Sequence, residues 1–409
     1  MEINWKKNTA LFLTGQALSF FGTMIVQFAI LWHITLKSQS GTIMALFIVA
    51  GFLPILFIAP FAGIWADRYN KKNIINLADG LISFFSLVVA VFLFFGIDNY
   101  GILLACAFVR SVGQGVQSPA VRAFIPQIVP KDHLTKINGF QSSINSFVTL
   151  TSPMLGGALM TFAPLEALFF LDVVTAIIAI FILFFFVKIP QKEETEIKIP
   201  VQNSKNYFSE LKEGLKYIKN HGFVIRIVLI SAIYIFLFVP AGLLKPLQVT
   251  RNFGADVWRL TAIEITFSVG ILAGGVLIGV WGGFKKRVHT MTLSFVLCGL
   301  LIIGSGFVQS FWLYLAILFL IGFSTPLGDA PFNALLQSTV EPSFMGRVFS
   351  VVMTIISTMN ILGMLFFGLA ADIVSINILF LSTGFLIFLL CIPLITSKTL
   401  RKEEETKKG

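Results

Sequence analysis

Of the 409 residues, 56% are hydrophobic, 44 are phenylalanine and only 12% are charged. A soluble domain is about a quarter charged, so this composition excludes an ordinary soluble fold and marks an integral membrane protein. The net charge, 30 − 20 = +10, would suit nucleic acid, but all basic residues except Lys37, Arg110, Lys245, Arg251 and Arg259 fall on segments expected at one membrane face. The excess therefore records orientation and contact with anionic lipid, and no nucleic-acid partner is expected.

A span needs about 20 mostly apolar residues. The chain offers twelve such runs: 9–36, 42–66, 73–96, 100–122, 138–161, 165–188, 222–249, 257–281, 288–308, 311–336, 345–371 and 376–397. An even number puts both termini on one side, and Lys6, Lys7 and the basic tail from Lys398 to Lys408 make that side the cytoplasm. The first run exceeds the apolar core of a signal peptide and reads as a retained span. A multi-pass protein of a bacterial plasma membrane is expected.

Span 1 holds the polar residues Gln16 and Gln27, and span 5 holds Asn145; these are the candidates to face a substrate cavity, which should otherwise be apolar and aromatic. Spans 2 and 3 are joined by a charged turn, Gly63-Ile64-Trp65-Ala66-Asp67-Arg68-Tyr69-Asn70-Lys71-Lys72. A related turn, Gly279 to Arg287, joins spans 8 and 9, with Gly279 and Trp281 in the places of Gly63 and Trp65 and Gly283 in the place of Asp67. A weaker echo links Pro119 to Ile137 with Pro331 to Val348. The repeat implies two six-span bundles, 1–188 and 222–397, joined by a cytoplasmic linker at 189–221 and followed by a cytoplasmic tail at 398–409. In the linker, Tyr207, Phe208, Leu211, Leu215 and Ile218 recur at near-helical spacing, which suggests an amphipathic helix lying on the membrane or on the bundle; a plain charged connector is the simpler alternative.

Arg110, Asp172, Lys245, Glu264 and Asp329 lie inside spans. A charge at mid-span costs roughly 2.5–3.5 kcal/mol, so each needs a partner, water or a proton. Arg110 keeps its charge, whereas carboxyls can be neutralised, so Glu264, Asp172 and Asp329, in that order, are the candidates for proton coupling. Permanent pairing with Arg110 or Lys245 is the competing account. Gly156 and Gly157 in span 5, and Gly270, Gly274, Gly279 and Gly283 in and after span 8, have the small-residue spacing that lets helices approach closely. Cys106, Cys298 and Cys391 lie in apolar runs without metal-like spacing and read as buried hydrophobes. The absence of a Gly-Lys dipeptide removes a Walker A loop. Dispersed His residues and missing hydrolase motifs argue against an enzyme. No cofactor and no metal are expected.

The turn held by Gly63, Asp67, Arg68 and Lys72 resembles the signature of the major facilitator superfamily. Arg110 resembles its membrane-embedded arginine, although Gly113-Gln114-Gly115 follows one residue late. Ser152-Pro153-Met154-Leu155-Gly156-Gly157 resembles the Gly-Pro-x-x-Gly-Gly motif of drug:proton antiporters, with Pro153, Gly156 and Gly157 retained. Gly15-Gln16-Ala17, Gly51-Phe52-Leu53-Pro54, Ile263-Glu264-Ile265 and Gly346-Arg347-Val348-Phe349-Ser350 resemble the macrolide-efflux, or Mef-type, group. The resemblance implies an all-α major facilitator fold and a drug:proton antiporter working by alternating access. Its partners would be a small hydrophobic drug (a macrolide first), protons and membrane lipids, with a monomer favoured. It also implies that Asp67 faces the start of span 11 near Gly346 and Arg347, as a latch that favours the outward-open state. Exporters of tetracyclines or siderophores, a solute importer and a non-transport membrane protein remain alternatives.

Overall fold

A computed structural model describes residues 4–188 and 204–396, excluding the side chains of residues 59, 60, 63, 64, 67, 204–210, 395 and 396. Every element among them is helical: α1 (Trp5–Ser38), α2 (Gly41–Arg68), α3 (Lys71–Phe94), α4 (Tyr100–Ile128), α5 (Leu134–Phe162), α6 (Leu165–Phe181, continued by a π turn at Ile182–Phe186), α7 (Ser204–Asn220), α8 (Gly222–Leu243), α9 (Lys245–Asn252), α10 (Val257–Trp281), α11 (Arg287–Phe307), α12 (Phe311–Thr339), α13 (Met345–Ile373), α14 (Ile376–Leu389) and α15 (Cys391–Thr396). Only helices and closed barrels satisfy their own backbone in lipid, which is why so apolar a chain resolves into helices.

Among the described residues ten helical stretches are long and apolar enough to cross a membrane. The other two predicted spans, α4 and α5, are 29 residues each but carry Arg110, Gln114, Gln117 and Arg122, or Lys136, Gln141 and Asn145. Those residues lower their hydropathy, and most of them reappear around the cavity described below. Two predicted spans are broken. Run 222–249 divides into α8 and α9 at Leu244, where Pro246 suits the first turn of a new helix. Run 376–397 divides into α14 and α15 at Leu390; residue 397 and the tail at 398–409 lie outside the described residues, as does 189–203 of the linker.

The chain divides into two compact units, Met1–Gln39 with Ile43–Thr195 and Ala255–Thr261, and Ser40–Thr42 with Glu196–Gly254 and Ala262–Gly409. In the first, α3 packs on α4 and α6, and α1 on α5 and α6. Without a hydrophobic force between helices in lipid, such packing depends on close contact. Gly22 of α1 shows how close: a Cβ there would sit 2.2 Å from Thr175 Oγ1. In the second unit, α11 packs on α12 and α14, and α13 on α7 and α8. The α10 glycines work inside this unit, since a Cβ on Gly270 or Gly274 would lie 2.2 or 2.1 Å from the Phe319 or Phe323 carbonyl of α12. Gly156 and Gly157 of α5 belong to the first unit, where Gly157 abuts Trp32 and Thr261.

The two related turns fold differently. α2 stays helical through Arg68, and only Tyr69 and Asn70 precede α3, whose N-terminus Asn70 caps by accepting from the Lys72 and Asn73 N–H groups at 3.0 and 3.4 Å. α10 ends at Trp281, and the chain turns through Gly282 and Gly283 at φ 74° and 81°. That left-handed backbone suits glycine and strains a residue with a Cβ, which is a local reason for Gly283 standing where the first turn has Asp67.

The linker contains the helix α7, and it docks on the start of α13. Arg347 pairs with Glu213 at 2.9 Å, Tyr217 stacks on Phe344, and Gly214 lies so near the Arg347 carbonyl that a Cβ would meet it at 2.7 Å. Tyr217 and Ile218 are buried, while Leu215, expected on the apolar face, is exposed. Tyr207 and Phe208 are among the side chains outside the described residues.

Candidate functional site

The first unit is centred on an ion pair. Arg110 of α4, 1% exposed, pairs with Asp172 of α6, which is fully buried. Arg110 also donates to Ser86 Oγ, and to the Thr23 carbonyl at 3.1 Å. Asp172 accepts from Ser86 Oγ at 2.7 Å and from Thr23 Oγ1 at 3.3 Å. Four helices thus meet on one guanidinium and one carboxylate. A buried pair repays its desolvation only when further hydrogen bonds satisfy it, and this one has them.

Beside it lies Asp79 of α3, a residue sequence reasoning passed over. It is 1% exposed. Its Oδ1 accepts from Ser19 Oγ and Gln117 Nε2, both at 2.7 Å, and its Oδ2 has no partner. The signal was present in the sequence: Asp79 stands eight residues into α3, about 12 Å from the helix start at 1.5 Å per residue. The Asn and Lys residues just before it made the stretch look like a membrane interface.

Gln117 leads from Asp79 to a cavity of 320 Å³ lined by Gln16, Thr23, Gln114, Gln117, Arg122 and Asn145, among others. Its Nε2 also lies 3.5 Å from Gln16 Oε1. Two of the three residues expected to face a cavity, Gln16 and Asn145, therefore share one. Gln27 does not line it and stands against Gly51 of α2. Five of the cavity's eleven lining residues carry amides, while Phe20, Ile55 and Val121 supply apolar wall of the kind expected. An apolar groove of 760 Å³ lies elsewhere in the same unit, between α2, α3 and α4, with Trp65, Tyr69, Leu77 and Leu81 along it.

The second unit holds Lys245 at the start of α9, whose ammonium pairs with Glu264 of α10 at 2.8 Å and lies 4.3 Å from the Phe267 ring centre. Below it Gln248 donates to the Ser305 carbonyl and accepts from Tyr314 OH, both at 2.8 Å. Asp329 is exposed on α12, and its backbone carbonyl accepts from Asn333 Nδ2 at 3.0 Å. Also in this unit, Asp372 accepts from Ser40 Oγ and from the N–H groups of Gly41 and Thr42, an N-terminal cap that spacing in the sequence did not suggest.

Of the signature turn, Gly63 and Asp67 lie in α2 with side chains outside the described residues, and Arg68 is exposed. Lys72 donates to the Phe184 and Val187 carbonyls, both at 2.9 Å. It so caps the C-terminal end of α6 and its π turn, where helix carbonyls favour a cation. At the far ends of α1 and α3, Asp98 bonds His33 at 2.8 Å and also accepts from Lys37. Partial burial pushes its carboxyl up, but the Lys37 and His33 interactions outweigh that and hold it below the usual carboxylate range. Among the described residues no three His, Cys, Asp or Glu side chains gather to hold a metal.

Residues 7–408 match the family model described as transmembrane secretion effector. The chain is 29% identical over 394 residues to macrolide efflux protein A of Streptococcus pyogenes, covering 96% of each. It is equally identical over 309 residues to macrolide efflux protein A of Enterococcus faecalis, covering 75% of this chain and 94% of that one. Its fold is similar to that of a bacterial homolog of the human lysosomal transporter Spinster, with TM-score 0.69 and 13% identity over 99% and 98% of the two chains. The helical architecture, the membrane-embedded charges and the end-to-end family match lead to one conclusion: this chain is a multi-pass membrane transporter, not an enzyme, and it belongs to the transmembrane secretion effector family of the major facilitator superfamily, with the Mef-type members as its relatives.

Proposed function

We propose that the chain exports hydrophobic drugs, macrolides foremost, in exchange for protons by alternating access in a bacterial plasma membrane. Both termini and the Asp67 turn face the cytoplasm in this reading. The observation that carries it is the amide-lined cavity of 320 Å³, set among buried charges in a chain whose end-to-end relatives are named for macrolide efflux. Amides suit the ether, hydroxyl and carbonyl oxygens of a macrolide, and buried carboxyls supply groups that can take a proton.

The charges divide the work. Arg110 and Asp172 compensate each other and hold α1, α3, α4 and α6 together, so their part is structural and gating. Lys245 and Glu264 are a second compensated pair, less enclosed than the first. Asp67 acts as a latch at the cytoplasmic end, and Arg347 joins α13 to α7. Pro153, Gly156 and Gly157 keep α5 close to its neighbours and seal that wall against proton leak.

The test is uptake of labelled erythromycin into inverted membrane vesicles with an acid interior. Accumulation that collapses with an uncoupler supports proton exchange, and accumulation indifferent to the uncoupler refutes it. A resistance panel across drug classes in a sensitive host separates macrolide export from export of another amphiphile.

A further inference from the structure

We infer that Asp79, which Gln117 joins to the cavity lined by Gln16 and Gln117, is the group that carries the exchanged proton. This rests on the proton-antiport reading above and adds the residue.

The argument begins with charge. Titratable or charged groups on the helices packed around Asp79 are Tyr100, Cys106, Arg110 and Arg122 on α4, and Glu166 and Asp172 on α6. On α1 they are Lys6, Lys7, His33 and Lys37, toward its two ends, and on α3 itself Lys71 and Lys72 at its start. Arg110, the basic group deepest among them, is bound to Asp172. The Asp172 carboxylate, of like sign, lies within electrostatic reach of Asp79. Asp79 thus differs from Asp172 and Glu264 in having no basic partner. An isolated buried carboxylate is among the most costly groups a protein can hold, and the remedy open to it is a proton.

Hydrogen bonding then connects Asp79 to the cavity. The Ser19 hydroxyl and the Gln117 amide both donate to Oδ1, while Oδ2 is without a partner. The ionised carboxylate needs those donors. The acid form carries its hydrogen on Oδ2 and can release the Gln117 amide. Gln117 and Gln16 both line the cavity, and the Gln117 Nε2 that serves Asp79 lies 3.5 Å from Gln16 Oε1. A ligand whose oxygens take the Gln117 amide withdraws a donor from the carboxylate. A carboxylate that claims both donors withdraws them from a ligand. Protonation of Asp79 and occupancy of the cavity are therefore linked reciprocally through Gln117. The step is a proton transfer alone: an O–H bond forms at Oδ2 as water on the acid side gives up its proton, and it breaks as water on the other side takes it.

The test uses the full-length chain in proteoliposomes with erythromycin as probe. Asp79→Asn is expected to reduce gradient-driven accumulation to the passive level while erythromycin counterflow continues, and Asp79→Glu to retain accumulation with a displaced pH profile. Uncoupler-sensitive accumulation by Asp79→Asn equal to wild type overturns the assignment and leaves proton antiport standing. Accumulation by wild type that ignores an uncoupler overturns antiport itself. A second readout needs neither the probe nor the asparagine variant. The pH-induced infrared difference spectrum of wild type should contain a carboxylic-acid carbonyl band that shifts in Asp79→Glu. An acid band unmoved by that substitution, or no acid band, overturns the inference.

Discussion

Asp172→Leu is the perturbation that most directly probes the first unit. It removes the carboxylate and leaves the Arg110 guanidinium 1% exposed with only Ser86 Oγ and the Thr23 carbonyl as partners. Breaking a buried pair from one side costs about 3–5 kcal/mol because the surviving charge is uncompensated. At about 2–4 °C per kcal/mol for a unit of 150–250 residues, the unfolding midpoint should fall by about 10 °C. The protein supplies its own reporter. Cys106, Cys298 and Cys391 are free and buried, so a thiol-reactive dye lights up as each is uncovered. Substituting Cys298 and Cys391 by alanine leaves Cys106, one turn from Arg110, to report the first unit alone. The double variant Arg110→Met with Asp172→Leu should recover most of the loss, since no orphan charge remains. A single variant within about 2 °C of wild type, which corresponds to at most about 1 kcal/mol, or a double variant no better than the single, would refute the pair as the centre of this bundle.

In the second unit, Glu264→Gln should cost less, about 1–3 kcal/mol, because its pair with Lys245 is less enclosed than that of Arg110 and Asp172; a larger loss than for Asp172→Leu, read by the dye in a variant that keeps Cys298 and Cys391 and lacks Cys106, contradicts this ranking. Gly274→Ala should destabilise strongly, since its Cβ would stand 2.1 Å from the Phe323 carbonyl, whereas Gly279→Ala meets nothing within 4 Å and should be neutral or gain up to about 1 kcal/mol. Equal midpoints for these two variants would be inconsistent with the packing of α10 on α12. Lys72→Met removes the cap on the Phe184 and Val187 carbonyls and should cost about 0.3–1 kcal/mol, near 2 if the site is well shielded, read as faster hydrogen exchange at the end of α6. Because the folded Asp98 carboxyl titrates below its unfolded value, its contribution is present above the unfolded pKa and is lost as pH falls through the folded one. Asp98→Asn should flatten the acid side of the stability profile, and an unchanged acid slope would show that Asp98 does not set it.

Membrane residence, the helical fold and the family were legible in the residues themselves. Each rests on a property that accumulates along the chain. Twenty apolar residues in a row must become a helix in lipid whatever their neighbours are. Gln16 and Asn145 were readable as cavity residues because polar side chains inside spans are costly and so seldom face lipid.

What depended on tertiary structure was which residue meets which. Asp172 and Glu264 look alike as isolated carboxylates in apolar runs; only packing shows that each holds a basic partner and that Asp79, near enough to a helix start to pass for an interface residue, holds none. The glycine ladder of α10 has a spacing that fits any neighbour, and the fold gives it α12. Gly283 reads in sequence as a missing Asp67, while in three dimensions its φ of 81° supplies a backbone reason for the glycine. Charge, apolarity and period act locally and survive in one dimension. Pairing depends on helices brought together from 60 to 150 positions apart, as Ser19 to Asp79 and Thr23 to Asp172 are here, and that information exists only once the bundle has closed.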